Sequence, residues 1–260
     1  TQFASSAASD VYKRQGSTMK PVVYSMAYDL GVAPSALFSG APVKIGDYNP
    51  TGSKGSEDLM VWDALVQSNN GVSLQVLQEV LERAPLDRYK AWGKALGLER
   101  SLTGVPSEVL GADQTPFSMA RAYGTFALRG MAPAMGLVRK VVDREGNVLE
   151  RNIQPQDPHA TFSDVMLAAW DSRINPRTRR IPEGAAYVMS ANLHEAVQEG
   201  TGKRAKDLHH TVGGTTGTLA FDVWFNGFSP VRETVVWVGA DRRERPLGRS
   251  TSLKGQVVHG

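Results

Sequence analysis

The sequence predicts an α/β protein of the α+β type, an antiparallel sheet flanked by helices. Two observations carry this. Through the first two hundred residues apolar side chains recur mostly at three- and four-residue spacing, the period of a helix face, whereas the last third alternates or runs as β-branched stretches. Helices followed by consecutive strands make a sheet whose faces the helices must cover. At 260 residues, with 41% hydrophobic and 21% charged residues, the chain has material for one large domain or two small ones, and disorder is not its default state.

From Ser17 to Leu30, the residues Met19, Val22, Val23, Met26, Ala27 and Leu30 form one apolar face, so this segment reads as a buried helix that Gly31 ends. Pro21 falls in its first turn, where a missing N–H breaks no bond. Ala33 to Glu57 is rich in Gly, Pro, Ser and Asp and reads as one long loop. Trp62, Leu65 and Val66 mark a short helix running up to Ser68, and Leu74, Val76, Leu77, Val80 and Leu81 mark another from Val72 to Arg83. Leu86 to Leu96 is helical, with Gly97 as its stop. Pro116 to Gly130 carries Met119, Ala122, Tyr123, Phe126 and Ala127 on one side, and Glu183 to Val197 is the last helix. Between these two, Val138 to Val142 and Val148-Leu149 flank the polar turn Asp143 to Asn147 as a hairpin. Three strands complete the chain: a Gly-Thr run after Thr211-Val212, Phe221 to Phe228, and Thr234 to Val238, with Ser229 to Glu233 as the last turn.

Charge and composition exclude several classes. The 29 basic and 26 acidic residues leave a net charge of +3, too mild an excess to mark a nucleic-acid surface. The clusters Arg177, Arg179, Arg180 and Arg242, Arg243, Arg245, Arg249 read as solvated surface. Without cysteine there are no disulfides, iron–sulfur clusters or thiolate zinc sites, and no metal or other cofactor is implied. No apolar run reaches the ~18 residues of a spanning helix, so membrane association is expected only through an anchor upstream of this sequence. Residues 1–15, above all Ser5 to Gln15, resemble translated adaptor sequence at the ends of assembled sequencing reads. They are set apart as a non-native segment, which leaves 16–260 as a partial domain.

Three short motifs follow one another: Gly16-Ser17-Thr18-Met19-Lys20-Pro21, then Ser68-Asn69-Asn70, then Gly213-Gly214-Thr215-Thr216-Gly217-Thr218. An S-x-x-K occurs by chance about once in a chain of this length, so the signal lies in the set. A serine hydroxyl is a weak nucleophile until a base takes its proton. Lys20 qualifies as that base, because three helical residues bring its amine near Ser17 Oγ. Burial and the positive end of the helix dipole both favour its neutral, proton-accepting form.

The three motifs resemble the S-x-x-K, S-x-N and K-T-G-T set of the penicillin-binding protein transpeptidases. Tyr48-Asn49-Pro50 is similar to a Y-x-P segment, Ala64 to Asn70 to A-L-x-x-S-x-N, and Glu199-Gly200-Thr201-Gly202 to a G-T-G run. Trp224 to Pro230 resembles W-F-x-G-[YF]-[ST]-P, and Val236-Trp237-Val238-Gly239 continues the likeness. The order and wording most resemble those of class A members, the bifunctional peptidoglycan synthases. The resemblance implies the fold shared by penicillin-binding transpeptidases and serine β-lactamases, here without its first strands and last helix. It also implies a location in the cell envelope, on the periplasmic or extracytoplasmic face of the membrane, with the anchor and glycosyltransferase domain lying upstream. The implied partners are peptidoglycan stem peptides, β-lactam antibiotics and other proteins of cell-wall synthesis.

Roles follow from the same resemblance. Ser17 attacks the D-Ala-D-Ala carbonyl and becomes an acyl-enzyme, with Lys20 as base. Ser68 passes a proton toward the leaving amine, and Asn70 holds the substrate amide. The backbone N–H groups of Ser17 and Thr218 form the oxyanion hole, and Thr216 and Thr218, flanking Gly217, bind the terminal carboxylate.

One residue departs from the pattern: Thr215 stands where the family has the K-T-G lysine. Losing a charge-assisted contact removes about 1.5–3 kcal/mol, or about ten- to a hundred-fold in acylation. Three alternatives to the transpeptidase are therefore a catalytically impaired penicillin-recognising or scaffold domain, a serine β-lactamase and a D,D-carboxypeptidase. Neither Glu82 to Leu86 nor Glu108 to Leu110 resembles the E-x-x-L-N loop of the β-lactamases. The Gly213 to Gly217 run lacks the G-K-[ST] ending of a phosphate loop, and His209-His210 has no further ligands at metal spacing. Trp62, Trp92, Trp170, Trp224 and Trp237 read as packing residues, with lining of the cleft the alternative for Trp224 beside the third motif.

Overall fold

The structure, a computed structural model, describes residues 12–45, 57–133, 138, 140–151, 160–163, 165–166, 178–230, 232–239, 251–253 and 256–258. Tyr48-Asn49-Pro50, Trp170, Arg177 and the cluster from Arg242 to Arg249 lie outside these residues. Its strands are β1 (Lys13–Arg14), β2 (Leu37–Ser39), β3 (Asp58–Met60), β4 (Asp113–Gln114), β5 (Lys140–Val142), β6 (Val148–Arg151), β7 (Gly213–Thr218), β8 (Asp222–Phe228), β9 (Glu233–Gly239), β10 (Thr251–Leu253) and β11 (Gln256–Val258). Its helices are α1 (Lys20–Asp29), α2 (Val61–Val66), α3 (Asn70–Arg83), α4 (Leu86–Leu96), α5 (Pro116–Ala127) and α6 (Glu183–Gln198).

The first helix is the centre of the core. Every residue from Lys20 to Ala27 is buried, so α1 is enclosed on all sides rather than along one stripe. Its Val22, Val23, Met26 and Ala27 join Val72, Leu74, Val76, Leu77 and Val80 of α3 and Ala185, Ala186, Met189 and Leu193 of α6 in one apolar cluster. The S-x-x-K segment reaches this helix through a tight 3₁₀ turn, Gly16–Met19, so the α-helix begins at Lys20 rather than at Ser17.

The sheet β7-β8-β9 is antiparallel, with Thr215 opposite Asn226 and Asn226 opposite Val235. Thr215, Trp224 and Asn226 lie on its buried face, over which α5 and α6 pack. Thr234, Val236 and Val238 alternate to the other face and are exposed. Among the described residues the helices thus cover one face, where the sequence predicted two. An antiparallel sheet tolerates one solvated face, because its strands alternate polarity.

Three boundaries also differ. The loop from Ala33 to Glu57 contains β2, which pairs with β3 through Leu37↔Met60 and Ser39↔Asp58. This strand is too short for its period to show. Helix α3 starts at Asn70 instead of Val72, because Asn69 Oδ1 accepts the Val72 N–H at 3.0 Å and caps it. Helix α5 stops at Ala127 rather than Gly130, as Arg129 and Gly130 take positive φ and donate back to Phe126 and Thr125.

Residues 13–15, set apart by sequence, are packed into the fold whatever their origin. Strand β1 pairs with β4, the Trp224 indole donates to Arg14 O at 2.8 Å, and the fully buried Gln15 amide bonds Gln114 O.

Candidate active site

The turn carrying Ser17 is pinned from three sides. Gly16 has φ +59, a conformation that favours glycine, and a Cβ there would sit 3.3 Å from the Thr218 amide nitrogen. At Gly217 a Cβ would run into Gln15 O, so β7 approaches the turn as closely as backbone allows. Thr18 Oγ1 donates to Gln15 O, and the buried Tyr123 hydroxyl of α5 donates to Thr18 O, each at 2.8 Å. Ser17 itself is half-buried at the junction of α1 and β7.

Lys20, fully buried, reaches across to the second motif. Its amine donates to Ser68 O at 2.7 Å, to Ser68 Oγ at 2.9 Å and to Asn70 Oδ1 at 2.8 Å. The sequence placed this amine beside Ser17. Ser17 Oγ is not among its hydrogen-bond partners, because three good acceptors of the second motif take its three donors. Burial pushes the Lys20 pKa from 10.5 down to about 7, so the amine exchanges readily between ammonium and free base near neutral pH.

The second motif is held in an unusual backbone state. Ser68 has φ +57, which a non-glycine residue adopts only at a cost of about 1–3 kcal/mol. Packing holds it there: Tyr24, one turn along α1 from Lys20, places its hydroxyl 3.1 Å from Ser73 Oγ, which donates to Asn69 O at 2.6 Å. Two side chains of one helix therefore grip the Ser68-Asn69-Asn70 turn.

The third motif lies along β7. Thr215 is buried, with its hydroxyl 3.3 Å from that of Thr201, while Thr216 is half-buried and Thr218 exposed. All three motifs converge, with Lys20 linking the first two and Gly16 and Gly217 seating the third against the Ser17 turn. Sequence reasoning missed Tyr24, Tyr123, Gln15, Asn226 and Glu233. Tyr123 was visible only as one more apolar position, and Glu233 was read as a turn residue. Glu108 is taken up structurally, since its carboxylate accepts the Thr103 N–H at 2.8 Å and the Gly104 N–H at 3.0 Å. His209 and His210 are exposed.

The sequence matches the penicillin-binding protein transpeptidase domain over residues 1–241. The chain belongs to this family. Penicillin-binding protein 1A of Neisseria meningitidis is 30% identical over 253 residues, covering 91% of this chain and 29% of that protein. Its counterpart in Pseudomonas aeruginosa is 29% identical over 280 residues, covering 91% and 34%. This transpeptidase domain therefore spans about a third of the length of those relatives. Penicillin-binding protein 1A from Haemophilus influenzae superposes with a TM-score of 0.77 at 24% identity, over 93% of this chain and 40% of the other. The PonA1 protein from Mycobacterium tuberculosis, in complex with penicillin V, gives 0.73 at 20% identity, over 94% and 65%. The fold is thus the penicillin-binding transpeptidase fold, with helices packed against an antiparallel sheet.

Proposed function

We propose that this penicillin-binding transpeptidase domain cross-links peptidoglycan stem peptides through a serine acyl-enzyme, and that β-lactams acylate the same serine. One observation carries the reading: a buried lysine amine with a depressed pKa, one turn from Ser17, is hydrogen-bonded to both functional residues of the S-x-N motif. Such an amine is a base suited to neutral pH.

Ser17 Oγ attacks the D-Ala-D-Ala carbonyl while its proton passes to Lys20 Nζ. The Ser17 and Thr218 amides receive the developing oxyanion, the interaction that usually contributes most to acyl transfer. The proton moves from Lys20 through Ser68 Oγ to the departing D-Ala amine, and the amine of a second stem peptide then takes the acyl group. Asn70 orients the substrate amide, and Thr216 and Thr218 hold the carboxylate. The relatives' names support a place in the cell envelope, with partners in cell-wall synthesis.

Mass spectrometry of a peptic digest after exposure to a fluorescent penicillin tests this. The adduct is expected on Ser17 alone; an adduct on Ser68 instead, or none at saturating drug, refutes the assignment. Thr215 favours a second reading, a penicillin-recognising or scaffold domain with impaired chemistry, because the substitution removes a cation from the carboxylate subsite.

A further inference from the structure

Beneath the nucleophile turn lies a group of buried polar side chains that the proposed reaction leaves unused. Asn226 is fully buried, and neither its amide nitrogen nor its amide oxygen has a hydrogen-bond partner; both Glu233 carboxyl oxygens are likewise buried and unpartnered. Their register makes them neighbours. Asn226 faces Val235, so Glu233, two residues earlier on β9, is its diagonal neighbour on the same face, within reach of a long side chain. Tyr123 of α5 packs over both strands, and its hydroxyl feels both the Asn226 amide and the Glu233 carboxyl.

An ionised carboxylate without a cation is strongly disfavoured in such a place, and burial pushes the Glu233 pKa from 4.5 up to about 9. Among the described residues, charged groups on neighbouring elements have other contacts. On α5, Arg121 packs against Gly97, and Asp222 of β8 accepts the Trp237 N–H at the other end of the strand. Lys13 lies over the Trp237 ring, and His194 of α6 bonds Val212 O. Among the described residues, Tyr123 is a titratable group that interacts with Glu233.

We propose that Glu233, Asn226 and Tyr123 form a buried relay that positions the nucleophile turn: the Glu233 carboxylic acid donates to Asn226 Oδ1, Asn226 Nδ2 donates to Tyr123 Oη, and Tyr123 donates to Thr18 O. Each group then has a partner, and all donors point one way, toward the residue after Ser17. The last link is already formed at 2.8 Å, and the other two engage buried Glu233 and Asn226 atoms that have no other partner. The three are positioning residues, and calling their target the nucleophile turn rests on the acyl-transfer reading above.

Two measurements on the 260-residue chain test the relay without using activity. Thermal melts compare the parent with Glu233→Gln, which keeps a neutral donor. Unfolding releases the Glu233 proton once pH exceeds 4.5, so the variant is expected to melt above the parent by several degrees near about pH 8, with the gap closing toward about pH 5. Hydrogen exchange of the Gly16–Lys20 segment is expected to rise about fivefold in Asn226→Leu and in Tyr123→Phe, the equivalent of one buried hydrogen bond, and to stay at the parent level in Glu233→Gln. Tyr123→Phe keeps the test valid if Asn226→Leu fails to fold. A melting gap that is constant or widens toward acid shows a charged Glu233 and overturns the relay, as does unchanged exchange in the variants that fold. Fluorescent-penicillin labelling of the parent separates the two readings: the expected melts and exchange without labelling support the relay and refute the acyl-transfer role.

Discussion

At the scale of single residues, the proposed chemistry turns on Lys20 and Thr215. Lys20, the proposed base, would act only in its neutral form, so acylation is expected to rise about tenfold per pH unit below about pH 7 and to level off above it. Stopped-flow labelling with a fluorescent penicillin between pH ~5 and ~9 checks this; a flat profile would assign the proton to another group. Lys20→Ala is expected to abolish labelling. Its far-UV circular dichroism reports whether the fold persists without the three bonds to Ser68 and Asn70. Thr215 poses the converse question. Its side chain lies on the same strand face as the Gly217 position, which meets Gln15 and Thr18, and its hydroxyl faces Thr201. Thr215→Lys is expected to return a cation to the carboxylate subsite and to raise the second-order acylation rate by about ten- to a hundred-fold, with most of the gain lost toward carboxylate-free analogues. An unchanged rate in an active parent means that another cation serves that subsite. Parent and variant both inert, and both folded, favour the impaired scaffold reading.

At the scale of elements, the site depends on how a capped helix meets a buried one. Asn69 caps α3 while its carbonyl accepts from Ser73, so one residue fixes both the start of α3 and the strained Ser68 beside it. Asn69→Ala is expected to destabilise the domain by about 1 kcal/mol, measured by urea unfolding, and to slow labelling further by loosening the grip of Lys20 on Ser68. Intact labelling after that loss would mean that Tyr24 and Lys20 hold the turn without the cap. What sequence could and could not show follows from the same geometry. Apolar periods made α1 through α6 legible, although α1 proved enclosed on all sides rather than along one face, and the three motifs were legible as a set through the family resemblance. The acceptors of the Lys20 amine were not legible, because Ser68 and Asn70 lie about fifty residues away. Nor was the role of Glu233, since a carboxyl between a turn and a β-branched run looks solvated until strand register turns it inward. The pairing of β2 with β3 was hidden for a simpler reason: three residues are too few to display a period.

At the scale of the whole molecule, two buried ionisable groups of opposite type shape how stability depends on pH. The pKa of Lys20 is lower in the folded state than in the unfolded one, so between about pH 7 and 10.5 the unfolded chain binds more protons and stability rises with pH. The pKa of Glu233 is higher when folded, so between pH 4.5 and about 9 the folded chain binds more protons and stability falls as pH rises. Their sum has three regimes. From pH 4.5 to about 7 only Glu233 acts, and stability drops by about 3 kcal/mol in all, at about 1.4 kcal/mol per pH unit. From about 7 to about 9 the two slopes cancel, and above about 9 Lys20 alone makes stability recover. A fall of that size is a large part of the 5–15 kcal/mol typical of a domain, so about pH 7–9, where the proposed base is neutral, is where these groups leave the fold least stable. Urea unfolding of the parent and of Glu233→Gln across this range checks the account. The variant is expected to lose the fall below about pH 7 and to rise from about pH 7, where the parent is level. A parent whose stability is level from pH 4.5 to about 7 and rises only above it would show that Glu233 is ionised in the folded state, and that its carboxylate has found a cation instead of the amide of Asn226.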